Sequence, residues 1–465
     1  MRMMINQNTV DLEFPPGRVA LDLLRGEFGL TGVKEGCREG DCGACTILLG
    51  RLHDGHIAYH SVVSCLLPIG DCAGKHLVTI EGLNGPGLNP LQQAFVEEGA
   101  VQCGFCTPGL VLALTAWLLN APDWNEEEAL LSIAGNICRC TGYLAIRRAV
   151  RRIIAALPAA AEGTRVETLI AAGYLPAWFR EAPAQLAALS QSRHTAITGR
   201  PVVVAGGTDL YVQKPERLES APVELLSERP DLRGIEIQGS WCRVGGGVTV
   251  EELRLASELR AFLPDLPDFL RLVSSTQIRN RATVAGNLVN ASPIGDLTIL
   301  LLALEAEVDL HDGAALRTLP LRRFYLGYKK LARREEELVT AVRFPLPQPG
   351  DHFNFEKVSR REHLDIASVN SACLLRMVGG VVEEIHLSAG GVAPIPLCLE
   401  KCSSYLRGRE LEEATLAEVL RVAGDEIAPI SDVRGSAEYK RLLLRRLLRA
   451  HLTPFLPERR QGRRP

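Results

Sequence analysis

The sequence contains no apolar run long enough to cross a bilayer. Its longest apolar stretch, "LTILLLALEAEVDL", is interrupted by Glu305 and Glu307, and its first ten residues, "MRMMINQNTV", lack the apolar segment of a secretory signal. We therefore expect a cytoplasmic protein. A formal charge of -3 over 465 residues also excludes a strong global field that would attract nucleic acid or an anionic membrane.

The sequence also lacks the G-x-G-x-x-G fingerprint that opens a Rossmann βαβ unit. Three glycine-containing strand ends are present instead, in "PVVVAGGTDL", "CRVGGGVTVEEL" and "RATVAGNLVNASPIGD". Such turns let backbone N–H groups approach a pyrophosphate, but a Gly-Gly pair after a strand is more often a tight turn. The residues alone therefore do not support a Rossmann-type nucleotide site.

Cysteine spacing is the most informative pattern that is present. Thirteen cysteines, an odd number, favour ligands or core residues over disulfides in a reducing compartment. Cys37, Cys42 and Cys45 have the spacing C-x4-C-x2-C, and Cys65 supplies a fourth thiol, which is the plant-type pattern for a 2Fe-2S cluster. Zinc normally uses paired C-x2-4-C knuckles and fits this set poorly. Glycines would let the loop wrap closely round a cluster: Gly36, Gly40 and Gly43.

A second set of thiols lies in "QCGFCTPG" and "GNICRCTGY", which contain Cys103 and Cys106, and Cys138 and Cys140. Each pair precedes a segment with apolar residues at helical spacing, so we expect two helix starts to place four thiolates around one centre. C-x2-C with C-x-C is also not far from a zinc knuckle, and zinc remains an alternative here. The neighbouring plant-type set favours a second cluster, because two redox centres in tandem form an electron-transfer chain.

These motifs, with "TGVKEGCREGDCGACT" before them, resemble the iron–sulfur portion of the xanthine dehydrogenase family of molybdenum hydroxylases. The resemblance implies an α+β multidomain protein. Its expected parts are a β-grasp, plant-type 2Fe-2S ferredoxin-like domain at residues 1–80, a four-helix 2Fe-2S-binding domain at 81–157, a linker at 158–178, an α+β FAD-binding domain of the PCMH/VAO type at 179–347, and a C-terminal α+β flavoprotein domain at 350–460.

The resemblance also implies an FAD site. "VVVAGGTDL" and "TVAGNLVNASPIGD" resemble the two flavin-binding segments of the family, so the first would hold the pyrophosphate from one side and the second from the other. Two departures are Ala285, where the family usually has glycine, and Val273, where it commonly has phenylalanine. The implied FAD-binding residues are Val203, Val204, Ala205, Gly206, Gly207, Thr208, Asp209, Leu210, Thr283, Val284, Ala285, Gly286, Asn287, Asp296, Val339 and Lys357.

"FEKVSRREHLDIASVN" resembles a family segment on the acceptor side of the flavin, where NAD+ would take electrons. On the residues alone, the loop that includes Arg360, Arg361 and Asp365 is a solvated surface turn. The resemblance favours a functional loop.

No part of the chain resembles the molybdenum–pterin portion of the family, so the resemblance places substrate oxidation on a partner, a molybdenum-cofactor-binding large subunit. This chain would pass electrons from hypoxanthine or xanthine through the Cys103 set, the Cys37 set and FAD to NAD+, and would contribute no catalytic residue. Gln102 matches a family residue that faces the pterin, which implies the partner interface. We expect a heterotetramer or higher hetero-oligomer without nucleic acid or membrane partners.

Three alternatives remain open. The same kind of subunit could serve another hydroxylase, for aldehydes, nicotinate or another N-heterocycle. The chain could be a non-enzymatic iron–sulfur sensor, which would need no flavin, or a zinc-stapled interaction module.

Overall fold

The computed structural model describes residues 1–158, 164–189 and 201–457. They form two compact units. Unit 1 comprises Met1–Glu228 and Ser275–Arg281, and unit 2 comprises Arg229–Ser274 and Ala282–Pro465. Within the described residues, none of the helices has both the length and the apolar character that crossing a membrane requires.

Strands and helices alternate in clusters along the chain. The strands are β1 Arg2–Ile5, β2 Asn8–Asp11, β3 Thr46–His53, β4 His56–Val63, β5 His76–Val78, β6 Val202–Val204, β7 Val223–Leu225, β8 Ile235–Gln238, β9 Trp241–Gly245, β10 Glu307–His311, β11 Leu316–Pro320, β12 Tyr325–Gly327, β13 Lys330–Leu331, β14 Leu338–Pro345, β15 Asp351–Val358, β16 Val369–Val378, β17 Val381–Gly390 and β18 Leu397–Cys398. The helices are α1 Ala20–Asp22, α2 Ile80–Leu83, α3 Pro90–Glu97, α4 Thr107–Asn120, α5 Glu126–Ser132, α6 Leu144–Ala156, α7 Arg165–Ala171, α8 Ala182–Ala187, α9 Leu210–Gln213, α10 Pro215–Ser220, α11 Val250–Leu255, α12 Leu266–Arg271, α13 Thr276–Arg279, α14 Val284–Asn290, α15 Asp296–Ala303, α16 Glu400–Leu406, α17 Glu413–Glu426 and α18 Ala437–Leu452.

Unit 1 begins with a five-stranded sheet in the order β2-β1-β5-β3-β4, in which β1 and β5 are parallel and the other neighbours antiparallel. The β3–β4 hairpin turns at Asp54 and Gly55, which both have positive φ. An Asp-Gly pair favours this two-residue turn because its twist matches that of the strands. The hairpin sets Thr46 opposite Val63 and so fixes the end of the sheet where the first thiols lie.

The helical part of unit 1 contains α3, α4, α5 and α6. Helix α4 is apolar on all sides and buried from Gly109 to Leu118, whereas α6 buries one stripe and exposes arginines. Both helices were predicted from their apolar spacing and are confirmed. The segment predicted as a linker is structured in part: residues 159–163 lie outside the described residues, but α7 begins at the N-cap Thr164 and buries Leu169 in the helical core.

The described residues of unit 2 form three antiparallel sheets, in the orders β11-β10-β14-β9-β8, β15-β16-β17-β18 and β12-β13. Helix α15 is almost entirely buried, and Ser388 of β17 donates to the carbonyl of Ile299 within it at 2.7 Å. The last helix, α18, buries an apolar stripe against the sheet β15-β16-β17-β18: Leu443, Leu444, Leu447, Leu448 and Leu452.

Candidate functional site

The first thiol set lies at one end of the β3–β4 hairpin. Cys45 immediately precedes β3 and Cys65 follows β4, so strand register brings the two buried thiols together. The Cys65 thiol donates a hydrogen bond to Cys45. This bond lowers the pKa of Cys45 and raises the pKa of Cys65. Ser64 closes the same end by donating to the carbonyl of Cys45 from its backbone N–H and its hydroxyl, at 3.2 and 2.9 Å.

The other two thiols of this set, Cys37 and Cys42, also form a pair. The Cys42 thiol donates to Cys37, and with the backbone N–H of Glu39, 3.3 Å from the sulfur, it lowers the pKa of Cys37 to about 5. The loop is close-packed around the thiols: a Cβ on Gly36 would lie 2.8 Å from the Cys42 sulfur, and Gly43 has a φ of +65° with Gly135 O 2.4 Å from a Cβ position. The predicted need for glycine at these positions is therefore supported by the geometry.

The second thiol set shows the same pairing. The sulfurs of Cys103 and Cys140 are 3.6 Å apart and exposed, and Cys106 contacts Cys138 in the buried half of the site. Burial and the Cys138 contact raise the pKa of Cys106 to about 12. Burial opposes the shift at Cys138, but hydrogen bonds from Thr141, whose hydroxyl is 3.3 Å away, lower the pKa of Cys138.

Two thiols beside two thiols suit a binuclear centre with two sulfur ligands on each metal. Within residues 1–158, 164–189 and 201–457, no three His, Cys, Asp or Glu side chains converge as one metal ion requires. In each pair the pKa of one thiol is lowered, at Cys37, Cys45, Cys103 and Cys138, and the pKa of its partner is raised, at Cys42, Cys65, Cys106 and Cys140. Each pair thus supplies one favoured thiolate, and thiolates are the ligands of iron–sulfur clusters. The thiols therefore fit two 2Fe-2S clusters.

The loops that carry the two sets are joined directly. Ile137 N–H donates to the Cys42 carbonyl at 3.0 Å, and the buried Asn136 amide donates to the Gly43 carbonyl at 2.9 Å. Asn136 Oδ1 accepts from Gln277, which also donates to Ser132 O. No spacing pattern identifies Gln277, and Asn136 is distinguished in the sequence only by its place in "GNICRC".

The predicted FAD residues divide between the units. In unit 1, Val203 and Val204 end β6, and the turn that follows reaches Leu210 at the start of α9. Gly207 has a φ of +76°, and a Cβ there would lie 3.0 Å from the ring of Tyr211. The carbonyl of Gly206 accepts from Arg281 at 3.0 Å. Glycine is thus required in this turn by its backbone conformation and its close contacts.

In unit 2, the other segment forms the start of α14. Thr283 caps the helix by accepting from Gly286 N–H at 3.1 Å, and Asn287 accepts from Thr298 at 3.5 Å. Ala285 is helical, with its N–H bonded to Gly246 O at 3.0 Å, so its methyl group causes no backbone strain. A Cβ on Gly246 would lie 2.3 Å from the carbonyl oxygen of Val339 and would also contact the Cβ of Ala285. Both residues therefore pack against this glycine.

Two further predicted residues, Asp296 and Lys357, form a buried ion pair at 2.7 Å in unit 2. Lys357 also donates to Leu272 O at 2.7 Å, and Asn370, which sequence reasoning missed, donates to Asp296 at 2.5 Å. Burial raises the pKa of Asp296, and the Lys357 ammonium opposes the rise. Asp365 instead organises its own loop, since its carboxylate accepts from the backbone N–H groups of Arg361 and Ile366.

Comparisons with known proteins agree with this organisation. Four family models match: "2Fe-2S iron-sulfur cluster binding domain" at residues 3–69, "2Fe-2S binding domain" at 79–151, "FAD binding domain in molybdopterin dehydrogenase" at 176–347, and "CO dehydrogenase flavoprotein C-terminal domain" at 354–454. The predicted α+β multidomain fold is confirmed, with two 2Fe-2S domains and an FAD-binding domain.

Relatives align over much of the chain. Xanthine dehydrogenase 1 of Arabidopsis thaliana is 27% identical over 94% of this chain and 38% of its own length, and aldehyde oxidase 1 of Rattus norvegicus is 25% identical over the same shares. The chain thus spans well under half the length of these relatives. The solved structure of a reconstituted CO dehydrogenase from Oligotropha carboxidovorans matches with a TM-score of 0.52 and 30% identity, over 56% of this chain and 90% of that chain.

Proposed function

Because this chain belongs to the molybdenum hydroxylase family, we propose that it is the iron–sulfur and FAD electron-transfer subunit of a xanthine dehydrogenase. The observation that carries the proposal is the hydrogen bond from Ile137 N–H to the Cys42 carbonyl, which joins two paired thiol sets within one unit. Directly linked cluster sites suit an electron-transfer chain. They have no evident use in a zinc-stapled interaction module.

With cofactors bound, two 2Fe-2S clusters would supply one-electron carriers and FAD would supply the two-electron step to NAD+. The proposed ligands are Cys37, Cys42, Cys45 and Cys65 for one cluster and Cys103, Cys106, Cys138 and Cys140 for the other. Backbone N–H groups and the Thr141 hydroxyl stabilise the thiolates of these sets. The segments Val203–Leu210 of unit 1 and Thr283–Asn287 of unit 2 would bind the FAD pyrophosphate, and Asp296 would bind the flavin nucleotide. Val339 and Lys357 of unit 2 are further proposed FAD-binding residues.

Electrons would enter at the second thiol set, because its outer pair is exposed. Phe105, Tyr143 and Leu144 expose large apolar side chains in the loops of Cys103 and Cys140, and the polar Gln102 is exposed with them. Clustered exposed apolar side chains are typical of protein–protein contacts. We therefore place a molybdenum-bearing large subunit here, in a hetero-oligomer. A cytoplasmic location is part of the proposal, since the ligand thiols must stay reduced.

Xanthine is the proposed substrate of the partner because xanthine dehydrogenase 1 is 27% identical over 94% of the chain, against 25% for aldehyde oxidase 1 over the same share. A second candidate, the equivalent subunit of a CO dehydrogenase or other hydroxylase, is favoured by the CO dehydrogenase structure that matches 56% of the chain. Identification of the chain that co-purifies, followed by assays with xanthine, nicotinate, an aldehyde and CO, distinguishes the two candidates.

The division of labour is tested with the purified chain. With NADH and a tetrazolium dye it should reduce the dye, and with xanthine it should do nothing until the molybdenum subunit is added. Asp365→Ala, which releases the N–H groups of Arg361 and Ile366, should slow the NADH reaction and spare electron transfer from xanthine to a cluster-reactive dye. Xanthine turnover by the chain alone would contradict the proposal. Bound FAD without NADH oxidation would indicate a different acceptor.

A further inference from the structure

We propose that Arg281 is a positioning residue for FAD: paired with Asp71 inside unit 1, it fixes the carbonyl of Gly206 and thereby orients the turn Ala205–Gly207 for phosphate binding. The inference rests on the proposed function of Val203–Leu210 as an FAD-binding segment. It adds two residues that no spacing motif identifies and that lie 210 positions apart in the sequence.

The Arg281–Asp71 pair is buried, and its side chains form hydrogen bonds to each other, to Gly206 and to Ser227. Arg281 Nη2 donates to Asp71 Oδ2 at 2.5 Å and to the Gly206 carbonyl at 3.0 Å, and the other Asp71 oxygen accepts from Ser227 at 2.5 Å. The side chains are 8% and 1% exposed. Burial raises the pKa of Asp71, but the charges of Arg281 and Lys75 outweigh it and the pKa is lowered. The Asp71 carboxylate therefore stays charged at neutral pH.

The bond to Gly206 has a consequence for the next residue. In a planar trans peptide the carbonyl and the following N–H point in opposite directions. With the Gly206 carbonyl turned to Arg281, the Gly207 N–H points away from it. That N–H is in a buried turn and has no hydrogen-bond partner among the described residues, whereas buried N–H groups are nearly always paired. An anionic oxygen would satisfy it.

The turn is held from its other side as well. Gly207 packs on the ring of Tyr211, and the Tyr211 hydroxyl donates to the Gly17 carbonyl at 2.7 Å. Movement of the turn is therefore opposed by a ring on one side and by a charge-assisted hydrogen bond on the other. Because Arg281 does not lie on the turn itself, its loss should change the orientation of the turn while the cysteine loops keep their ligands.

The test compares Arg281→Met, Arg281→Lys and Asp71→Asn with a matched control, Arg51→Met, which breaks the more exposed Arg51–Glu228 pair of unit 1. Deflavinated protein is titrated with FAD, and iron per chain is measured in the same samples. We expect the FAD Kd to rise about tenfold or more in Arg281→Met and Asp71→Asn, less in Arg281→Lys, and not at all in the control, with iron unchanged.

The outcomes separate this inference from the proposed function. If wild-type protein binds no FAD, or if Gly207→Val keeps it, the FAD assignment of the segment fails and this inference fails with it. If Gly207→Val loses FAD but Arg281→Met retains wild-type affinity, only the role of Arg281 is overturned. If Arg281→Met also loses iron, Arg281→Lys decides, because it keeps the charge, and an unchanged FAD Kd in that variant overturns the proposal.

Discussion

Ile137 N–H donates to the carbonyl oxygen of Cys42 at 3.0 Å, so one hydrogen bond joins the backbones that carry the two thiol sets. Cys42 belongs to the first set, and Ile137 immediately precedes Cys138 of the second. Because both groups belong to the backbone, a side-chain substitution can alter this hydrogen bond only through neighbouring residues. Asn136 is the most important of these, because its amide donates to the adjacent carbonyl of Gly43.

Asn136→Ala should therefore loosen the connection between the clusters. The variant removes bonds to Gly43 and Thr46 and leaves the Gln277 amide short of a partner, all in a buried region. We expect a loss of about 1–3 kcal/mol in the free energy of unfolding and altered magnetic interaction between the reduced clusters. Urea unfolding and electron paramagnetic resonance measure these. Asn84→Ala, at an exposed amide, should change neither, and an Asn136→Ala protein indistinguishable from wild type would contradict the role.

The pairing of the thiols predicts selective loss of one cluster at a time. Cys42→Ser removes a ligand of the first set only and Cys103→Ser one of the second, so iron should fall from about four to about two per chain in each case. One of two resonance signals should disappear, a different one in each variant. Buried Cys373→Ser serves as the control and should keep both signals. Stoichiometric zinc in the wild type would show that the cluster assignment is wrong for the set that binds it.

The sequence predicted the parts of these sites that are local. Cysteine spacing, the glycines of the first loop, and helices α4 and α6 each depend on residues near one another, so pattern and propensity identify them. The links between segments were missed because no periodicity encodes them. Gln277 meets Asn136 across 141 positions, and Arg281 meets Asp71 across 210. The predicted linker at 158–178 is rich in Ala, and this composition concealed helix α7, whose burial depends on Leu169 packing against distant residues.

The Asp296–Lys357 pair in unit 2 predicts that the single variant Lys357→Met is less stable than the double variant that also carries Asp296→Asn. Lys357→Met leaves the Asp296 carboxylate buried without its cation, which should cost about 3–5 kcal/mol in stability. Combining it with Asp296→Asn removes the uncompensated charge and should recover much of the loss. Urea unfolding measures both, and Arg421→Ala, in an exposed ion pair, should leave the midpoint unchanged. Equal losses in the single and the double variant would show that charge burial is not the cause.

The buried ring of His76 predicts a pH dependence for unit 1. Its Nε2–H donates to the Asn6 carbonyl at 2.8 Å and its Nδ1 accepts from the Tyr59 hydroxyl at 2.9 Å, so both nitrogens are satisfied in the neutral ring. Burial lowers the pKa of His76 to about 4. The unfolded chain, with a histidine pKa of about 6.5, therefore binds more protons than the folded chain between those values. The contribution of the neutral His76 ring to the free energy of unfolding is therefore fully present above pH 6.5 and is lost as the pH falls towards 4.

From pH 7 to pH 5 this histidine should cost wild-type unit 1 about 2 kcal/mol. His76→Gln keeps a hydrogen-bonding side chain without a titrating group, so it should lower stability at pH 7 but reduce the loss on going to pH 5. Urea unfolding at both pH values, followed through tryptophan fluorescence, to which Trp178 at 5.4 Å from the His76 ring contributes, measures the difference. His56→Gln, at an exposed histidine, should keep the wild-type dependence. If His76→Gln loses as much stability on acidification as the wild type, protonation of this ring does not govern the acid sensitivity of unit 1.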